Sequence, residues 1–426
     1  MMRKRSIMSV LLAFCLCFSM ITPAMAAEVN AEAQIEAQAM SRLADFDFVQ
    51  SADVNEATFS LDGESVLIQN LSETATLDEI SKAELADVIE SVAYIRETEM
   101  DEKTDLINYF YLIGNKIYLY EGAANHIDGV ENKLVIIDVN DSNLLDSTKE
   151  LLINTDEYDL DENNNEISLL KTSNVIGVQN RTTKLDDGVG ARLEITNSSI
   201  NYMEATLCDT NLDVFQGINN STVFNYIYLG FHCKGLESDL GLQVSRATGN
   251  ICGYNPYWML DINGTPNGIH TTDVINVGNT SKLYYLPTDD IVLSVYKNNG
   301  NNHPSASVYG KAVYRPVNAT KDSIGFVKTI MVNNNFYTSQ IPSIQFWKIV
   351  NTISPALKNG TPLPVPGGCE SYSKFKNIKV NGNPTKLSTC YARIYNYGLP
   401  EDYGNVESTS DNNIDLNELI FFLKSR

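Results

Sequence analysis

The chain has 426 residues, 43% of them hydrophobic, which is enough to build two or three ordinary domains and excludes a disordered or fibrous protein. It carries 53 Asp and Glu residues against 31 Lys and Arg residues, a formal net charge of -22. Because a strongly acidic protein repels other polyanions, nucleic acid is excluded as a partner.

Residues 1–26 predict a secretory signal peptide. A basic start at residues 3–5 precedes an apolar stretch at residues 7–21, and the small-x-small sequence Ala-Met-Ala ends the segment. A Thr-Pro pair interrupts the apolar stretch before it reaches the about 20 residues that a membrane helix needs. We therefore expect cleavage before Ala27, a secreted extracellular protein, and no membrane span after cleavage.

The distribution of charge divides the remaining chain in two. Residues 27–166 contain 33 acidic and 7 basic residues, whereas residues 167–426 contain 20 acidic and 21 basic residues. A change of composition of this size is typical of a domain boundary. We predict an acidic domain over residues 27–166, followed by a linker over residues 167–189.

The acidic domain is predicted to be α+β, with no catalytic motif. A type I′ turn at Asp62-Gly63 and a type II′ turn at Gly114-Asn115 each favour a β-hairpin. Between the hairpins, a capping box precedes apolar residues that recur at helical spacing. In chain order, the predicted elements are a surface helix or a frayed N-terminal extension at 30–44, a hairpin at Thr58–Gln69, a helix through Leu85–Val92, a hairpin at Leu106–Tyr120, a strand at 134–139 and a helix at 142–153.

Residues 190–400 predict an all-β antiparallel sandwich. Short apolar or aromatic runs alternate with Asn, Gly, Asp, Ser and Pro, and no helix is long enough to connect parallel strands. The predicted strands lie near residues 190–197, 202–208, 222–233, 238–245, 255–262, 281–286, 290–297, 305–314, 324–332, 343–350, 373–381 and 388–397. A C-terminal tail, residues 401–426, is predicted to contain one short helix at Asp415–Leu423, because Asp415 and Glu418 form a capping box.

One predicted strand has an aromatic face. Alternation from Val223 to His232 places Tyr226, Tyr228 and His232 on the same side, opposite an apolar core face that includes Phe231. If that side is open, it can stack on sugar rings and bond their hydroxyl groups, and Trp258 adds another stacking surface. The partner would then be a neutral polysaccharide or cell-wall glycan. The alternative is that the tyrosines pack under the loops of a large two-sheet protein.

Two carboxylates follow this strand. Glu237 and Asp239 share one face of a strand, and paired carboxylates are what retaining glycosidases use. The spacing resembles the signature of laminarinase-type glycoside hydrolases, and this resemblance implies a concanavalin-like jelly roll with Glu237 as nucleophile and Asp239 as its helper. The acid/base position, however, falls on Gly241 or Leu242, neither of which transfers protons.

Residues 224–260 resemble the exported Gram-positive proteins of the YrpD type. The resemblance rests on the run Gly-Leu-Glu-Ser-Asp-Leu-Gly-Leu-Gln from Gly235 and on Asn255-Pro256-Tyr257-Trp258. It covers about residues 190–400 and leaves the acidic region unexplained. It implies an extracellular location and no named activity.

Cysteines and loop carboxylates give two further expectations. Five cysteines remain after cleavage, and Cys369 and Cys390 either form a disulfide or are small buried side chains. No cofactor is expected beyond structural calcium, for which Asp261, Asp289 and Asp290 are the candidate ligands.

Three functions remain open. The sequence favours a secreted carbohydrate- or cell-wall-polymer-binding protein without catalytic activity, in which the acidic domain is a spacer, partner module or solubilising domain. The first alternative is a glycoside hydrolase or polysaccharide lyase that acts on a neutral glycan through Glu237. The second alternative is a secreted protein whose acidic region is a pro-domain, which would require cleavage near residues 159–190.

Overall fold

The computed structural model describes the protein from residue 31 to residue 424. The residues it leaves out within this span are 54, 71–75, 78–79, 124–131, 139–177, 182–188, 197–198, 211–222, 234–235, 247–251, 263–264, 271–281, 287–288, 299, 301, 316–319, 356, 359–360, 363–368, 397–402, 411 and 413. The described chain forms two compact units, divided near residue 100.

The first unit contains two helices and a β-hairpin. Its elements are α1 (31–44), β1 (Val49–Gln50), β2 (Glu56–Leu61), β3 (Glu64–Asn70) and α2 (Lys82–Glu99). The hairpin and both helices confirm the predictions, and Asp62 and Gly63 have φ angles of 53° and 81°, as a type I′ turn requires. Arg42 on α1 binds Glu90 and Asp87 on α2 at 2.6 Å.

The second unit is almost entirely β. Its strands are β4 (Leu106–Ile113), β5 (Lys116–Ala123), β6 (Lys133–Asp138), β7 (Val178–Arg181), β8 (Val189–Ile195), β9 (Tyr202–Thr210), β10 (Val223–Cys233), β11 (Leu236–Arg246), β12 (Cys252–Ile262), β13 (Thr265–His270), β14 (Lys282–Tyr285), β15 (Ile291–Tyr296), β16 (Ser305–Arg315), β17 (Ser323–Asn333), β18 (Ile344–Pro355), β19 (Leu357–Lys358), β20 (Thr361–Pro362), β21 (Glu370–Val380), β22 (Asn383–Pro384), β23 (Cys390–Asn396), β24 (Tyr403–Thr409) and β25 (Glu418–Lys424). Two 3₁₀ turns lie at Thr338–Gln340 and Leu387–Thr389.

Strand pairing arranges most of these strands in two series. The first series runs β13-β12-β11-β10-β18-β8-β23-β7 and is antiparallel except for the parallel β23–β7 pair. The second series runs β24-β25-β21-β9-β15-β16-β17-β4-β5-β6, with β14 beside β16. Strand β14 also pairs with β12 at Tyr285 and Tyr254, and this short antiparallel contact joins the two series. In the second series only β17 and β4 pair in parallel.

One hydrophobic core joins the two series. Leu229 and Ile349 from the first series belong to the same buried cluster as Leu293, Phe375 and Phe421 from the second. Sheets that each bury one face in a shared core are the basis of sandwich architecture. The mostly antiparallel, β-rich fold is therefore compatible with a β-sandwich.

Strand predictions succeeded over most of the second unit. All twelve strands predicted between residues 190 and 397 are confirmed, and Gly114 has the positive φ, 57°, that the predicted hairpin turn needs. The prediction of a helix at Asp415–Leu423 is wrong. Residues Glu418–Lys424 form strand β25, in which every second side chain from Leu419 to Leu423 is buried. Strand β25 pairs with β21 and buries every second side chain in the core, and this alternation outweighs the local capping signal.

The predicted helix at 142–153 lies outside the described residues, and so do most of the linker at 167–189 and the domain boundary at residue 166. The division between the units falls earlier in the chain, so β4, β5 and β6 belong to the second unit although their sequence is part of the acidic region. Among the residues described, no helix has the length and apolar character that crossing a bilayer demands. The predicted signal peptide precedes them.

Candidate functional site

Strand β10 has two faces of different chemistry, as its alternating sequence predicts. Ile227, Leu229 and Phe231 belong to the shared core, where Phe231 meets the ring of Trp347 edge-on, with 5.2 Å between the ring centroids. Tyr226 and Tyr228 lie on the other face and form a small separate cluster with Val350 of β18. The face that carries the tyrosines is therefore distinct from the core.

That second face is covered. Tyr226 is 9% exposed and Tyr228 5% exposed, and burial raises the pKa of Tyr226 well above its usual value. The expectation that these two rings lie open to a sugar is therefore corrected, because a ring this buried cannot stack on a polymer in this conformation. Alternation along one strand defines the two faces, but it contains no information on what packs over each of them.

An ion pair lies on the same covered face. Lys348 Nζ of β18 is 2.8 Å from Asp239 Oδ1 of β11, and both side chains are 1% exposed. The two strands are not neighbours, because β10 runs between them and places Gly230 in register with both residues. A Cβ at Gly230 would lie 1.8 Å from the carbonyl oxygen of Ser238 and 2.7 Å from Asp239 Oδ1. The pair can span β10 only because this position has no side chain.

Strand β8 extends these charges into a row of four. Glu194 is in register with Lys348 on the opposite side from Gly230, and Arg192 Nη2 contacts Glu194 Oε1 at 2.5 Å. The guanidinium of Arg192 lies 4.8 Å from the ring centroid of Phe346, and Lys348 Nζ lies 5.7 Å from that of Tyr228. All four charged side chains are buried. We call Arg192, Glu194, Lys348 and Asp239 the buried charge row; its net charge is zero.

Of the other predicted site residues on these strands, only some lie near one another. His232 is half-buried, stacks on Phe346 at 4.8 Å and is in register with Glu237. The register pairs Trp258 with the core residue Leu240, whereas Tyr228 is paired with Gly241. The side chains of Glu237, Trp258 and Asp261 lie outside the described part of the chain. Asp239, the predicted helper of Glu237, is in contact with Lys348 instead.

Two of the three predicted calcium ligands, Asp289 and Asp290, are paired with lysines. Asp289 lies 3.6 Å from Lys311, and Asp290 lies 2.7 Å from Lys376. Within the described residues, no group of three or more His, Cys, Asp or Glu side chains could hold a metal ion.

The predicted disulfide between Cys369 and Cys390 is not formed in the structure. Cys390 is a free cysteine whose thiol donates a hydrogen bond to the carbonyl of Lys386 at 3.3 Å. Both cysteines are buried, and burial raises the pKa of the Cys390 thiol to about 12. The alternative interpretation, a small buried side chain, describes Cys390.

An open, shallow site lies on the second series, on the face that points away from the core. It has a volume of about 130 Å³. We call it the tyrosine groove; its lining residues are Asp101, Thr104, Glu204, Val292, Ser294, Tyr296, Ser307, Tyr309 and Lys328. The rings of Tyr202 and Tyr296 stack at 5.1 Å, and those of Tyr309 and Phe326 at 5.9 Å.

The register of four strands builds this groove. Ser294 of β15 lies between Glu204 of β9 and Ser307 of β16, and Tyr309 lies between Val292 and Lys328. Tyr296 and Tyr309 are each half-buried, and burial, assisted by the nearby carboxylate of Asp101, raises the pKa of Tyr309. The groove therefore offers aromatic faces beside hydroxyl, carboxylate and ammonium groups.

None of the groove residues is among the site residues predicted from the sequence. The signal was present, because in β15 the apolar residues Ile291, Leu293 and Val295 alternate with Val292, Ser294 and Tyr296. The same alternation in β16, with Ser307 and Tyr309, and in β9, with Tyr202 and Glu204, could have indicated a polar outward face that carries tyrosines. Which strands lie side by side could not be derived from it.

A comparison with protein families supports the resemblance to YrpD-type proteins. The family model of YrpD, described as a domain of unknown function, matches residues 182–392. The matched segment includes the buried charge row and strands β9, β15, β16 and β17 of the tyrosine groove. A search of curated proteins found no match to the chain.

Proposed function

We propose that the protein is a secreted, extracellular protein of the exported Gram-positive YrpD type that binds a neutral polysaccharide or cell-wall glycan without catalysis. The tyrosine groove is the observation that supports this proposal. Tyrosine rings can stack on pyranose faces while serine hydroxyls and charged groups bond the sugar hydroxyls. Tyr226 and Tyr228, which suggested sugar binding from the sequence, have no part in the proposed site because they are buried.

The size of the groove suits one unit of a polymer. Pockets that enclose a whole small-molecule ligand measure about 300–1,000 Å³, whereas this groove measures about 130 Å³ and is open on one side. A long chain that lies across the sheet would place a single ring between Tyr296 and Tyr309. Affinity would then depend on repeated weak contacts along the polymer.

We infer that the second unit has a concanavalin-like jelly-roll arrangement, with the tyrosine groove on an outward sheet face. The two mostly antiparallel series and their shared core support this inference. The first unit, with its helices and hairpin, would be an α+β spacer or partner module. Structural calcium remains a proposal for Asp261, because Asp289 and Asp290 each have a lysine partner.

The alternative of a hydrolase or lyase that uses Glu237 gains little support. In that mechanism Asp239 would assist the nucleophile, yet its carboxylate is in contact with Lys348. The acid/base position falls on Gly241 or Leu242, and neither residue can donate a proton to a leaving group. The pro-domain alternative depends on cleavage near residues 159–190, which lie mostly outside the described part of the chain.

Binding of the secreted protein to a panel of insoluble neutral polysaccharides and purified cell walls tests the proposal. Tyr296→Ala and Tyr309→Ala should each weaken binding by about 5- to 30-fold, because each removes about 1–2 kcal/mol of stacking. Tyr226→Phe, which alters a buried tyrosine of the other series, is the matched control and should bind like the parent protein.

Three outcomes would count against the proposal. Undiminished binding by the double variant of Tyr296 and Tyr309 would place the ligand elsewhere. Release of reducing ends from a glycan, abolished by Glu237→Gln, would make the protein an enzyme. A shortened mature form detected by mass spectrometry, with new ends near residues 159–190, would favour the pro-domain.

A further inference from the structure

Lys348 and Asp239 carry an amine and a carboxyl group, the two groups that condense to form an amide. An ammonium and a carboxylate lie 2.8 Å apart with 1% of each side chain exposed. Removing both ions from water costs several kcal/mol each in general, and their attraction often fails to repay that cost. A reaction that removes both charges at once would relieve the penalty without any change in packing.

We propose that Lys348 and Asp239 form an intramolecular isopeptide bond, with Glu194 as the proton carrier. The cross-link would join β18 to β11 across β10. It lies outside the tyrosine groove and does not depend on the function proposed above.

The reaction balances without any added reagent. Lys348 first passes one proton to Asp239, so that a neutral amine faces a neutral carboxylic acid, the state that a low-dielectric interior favours. The Nζ lone pair attacks Cγ of Asp239, and the new N–C bond forms as one C–O bond breaks. The hydroxyl leaves as water. Neither oxidation nor reduction occurs, so no cofactor is needed.

Glu194 is placed to move the proton that this step requires. It is in register with Lys348 on the side away from Gly230, and its carboxylate contacts Arg192. It would take the proton from the attacking amine and return it to the departing hydroxyl. After the reaction, Arg192 and Glu194 remain as a balanced pair, so the interior stays neutral.

Gly230 explains why the two groups meet although a strand separates them. Its missing side chain leaves the space through which Lys348 reaches Asp239, and a Cβ there would lie 2.7 Å from Asp239 Oδ1. Such alignment converts the condensation into an intramolecular step, for which correct positioning lowers the barrier.

The structure supplies an internal control for this chemistry. Lys376 and Asp290 approach to 2.7 Å, closer than the buried pair, but their side chains are 38% and 51% exposed. Water stabilises both ions there, so the neutral state is not favoured. Only the buried pair should react, although the two pairs have the same composition and nearly the same separation.

Mass spectrometry of the purified full chain tests the proposal. The intact mass should be lower by one water molecule than the mass calculated for the same polypeptide, with residues 1–26 subtracted where they have been cleaved. Digestion with trypsin should leave the bond after Lys348 uncut and give a branched peptide that contains Lys348 and Asp239. The branched peptide distinguishes the cross-link from cyclisation at an Asp-Gly sequence such as Asp62-Gly63. Lys376 and Asp290 should appear on separate linear peptides.

Three variants assign the roles. Lys348→Arg keeps a positive charge but removes the reactive amine, and Asp239→Ala removes the acyl group, so both should give the full mass. Glu194→Gln should slow or abolish the loss of water. The decisive measurement is made on the parent protein, so a variant that fails to fold does not change the outcome of the test. A parent chain of full mass that trypsin cuts after Lys348, with no branched peptide, would overturn it.

Discussion

Replacing Gly230 with Ala tests whether strand β10 must leave room for the charges above it. The added Cβ would lie 1.8 Å from the carbonyl oxygen of Ser238, which is backbone and cannot rotate away. It would also lie 2.7 Å from Asp239 Oδ1 and would push that carboxylate from Lys348. Strand β11 must therefore shift, or the ion pair must break.

The cost can be estimated from these two effects. Overpacking in a well-packed interior costs about 1–3 kcal/mol. In a chain whose Lys348 and Asp239 have not reacted and remain an ion pair, separating them costs about 3–5 kcal/mol, because it leaves a buried charge without compensation. The same displacement causes both effects, so they overlap, and we expect a loss of about 3–5 kcal/mol. That loss is a large share of the about 5–15 kcal/mol by which folded domains are stable.

Tryptophan fluorescence during urea unfolding measures this loss. Both tryptophans of the chain, Trp258 and Trp347, belong to the second unit, so the signal reports on the unit that carries the substitution. Gly310→Ala in β16 is the matched control, since its Cβ would meet its closest neighbours at 3.3 Å and needs only a small adjustment. If Gly230→Ala lowers the free energy of unfolding by no more than Gly310→Ala does, the expected clash at position 230 does not occur.

Two further predictions concern pH and thiol chemistry. The Thr104 hydroxyl, which donates to Asp101 Oδ1 at 2.8 Å, lowers the pKa of Asp101 below its usual 3.8. The stabilisation that results is therefore complete above pH 3.8 and is lost as the pH falls through the lowered pKa. The free energy of unfolding of the parent chain and of Asp101→Ala, measured as a function of acid pH, should differ less and less in that range. A difference that stays constant would contradict the prediction. Because burial raises the pKa of Cys390 to about 12, iodoacetamide should leave this thiol unmodified in the folded protein and label it after unfolding in urea; peptide mapping that finds Cys390 labelled before unfolding would show that the thiol is accessible.

Secondary structure in the second unit was largely predictable because period-two burial is a local property of the sequence. The exception shows where local signals compete. Asp415 and Glu418 satisfy the pattern of a helix cap, yet Leu419, Phe421 and Leu423 alternate as a strand and pack against β21. Burial of three large side chains in the core stabilises more than one cap does.

The candidate sites were less predictable because they depend on contacts between residues distant in sequence. The sequence places Tyr226 and Tyr228 on one face but does not show that this face is covered. The pairing of Lys348 with Asp239 requires the order β11-β10-β18, which no local pattern specifies. The tyrosine groove likewise combines residues from four strands and from the segment that begins at Asp101.

Parallel pairing of β17 with β4 limits how the protein can be shortened for study. Residues Val327–Asn333 pair with residues Leu106–Leu112, which precede the family-matched segment at 182–392. A fragment trimmed to the matched segment would expose this side of β17, and its unsatisfied amide and carbonyl groups would invite intermolecular strand addition. Insolubility of such a fragment would reflect a removed neighbour, not an unstable domain, and expression should begin before residue 100.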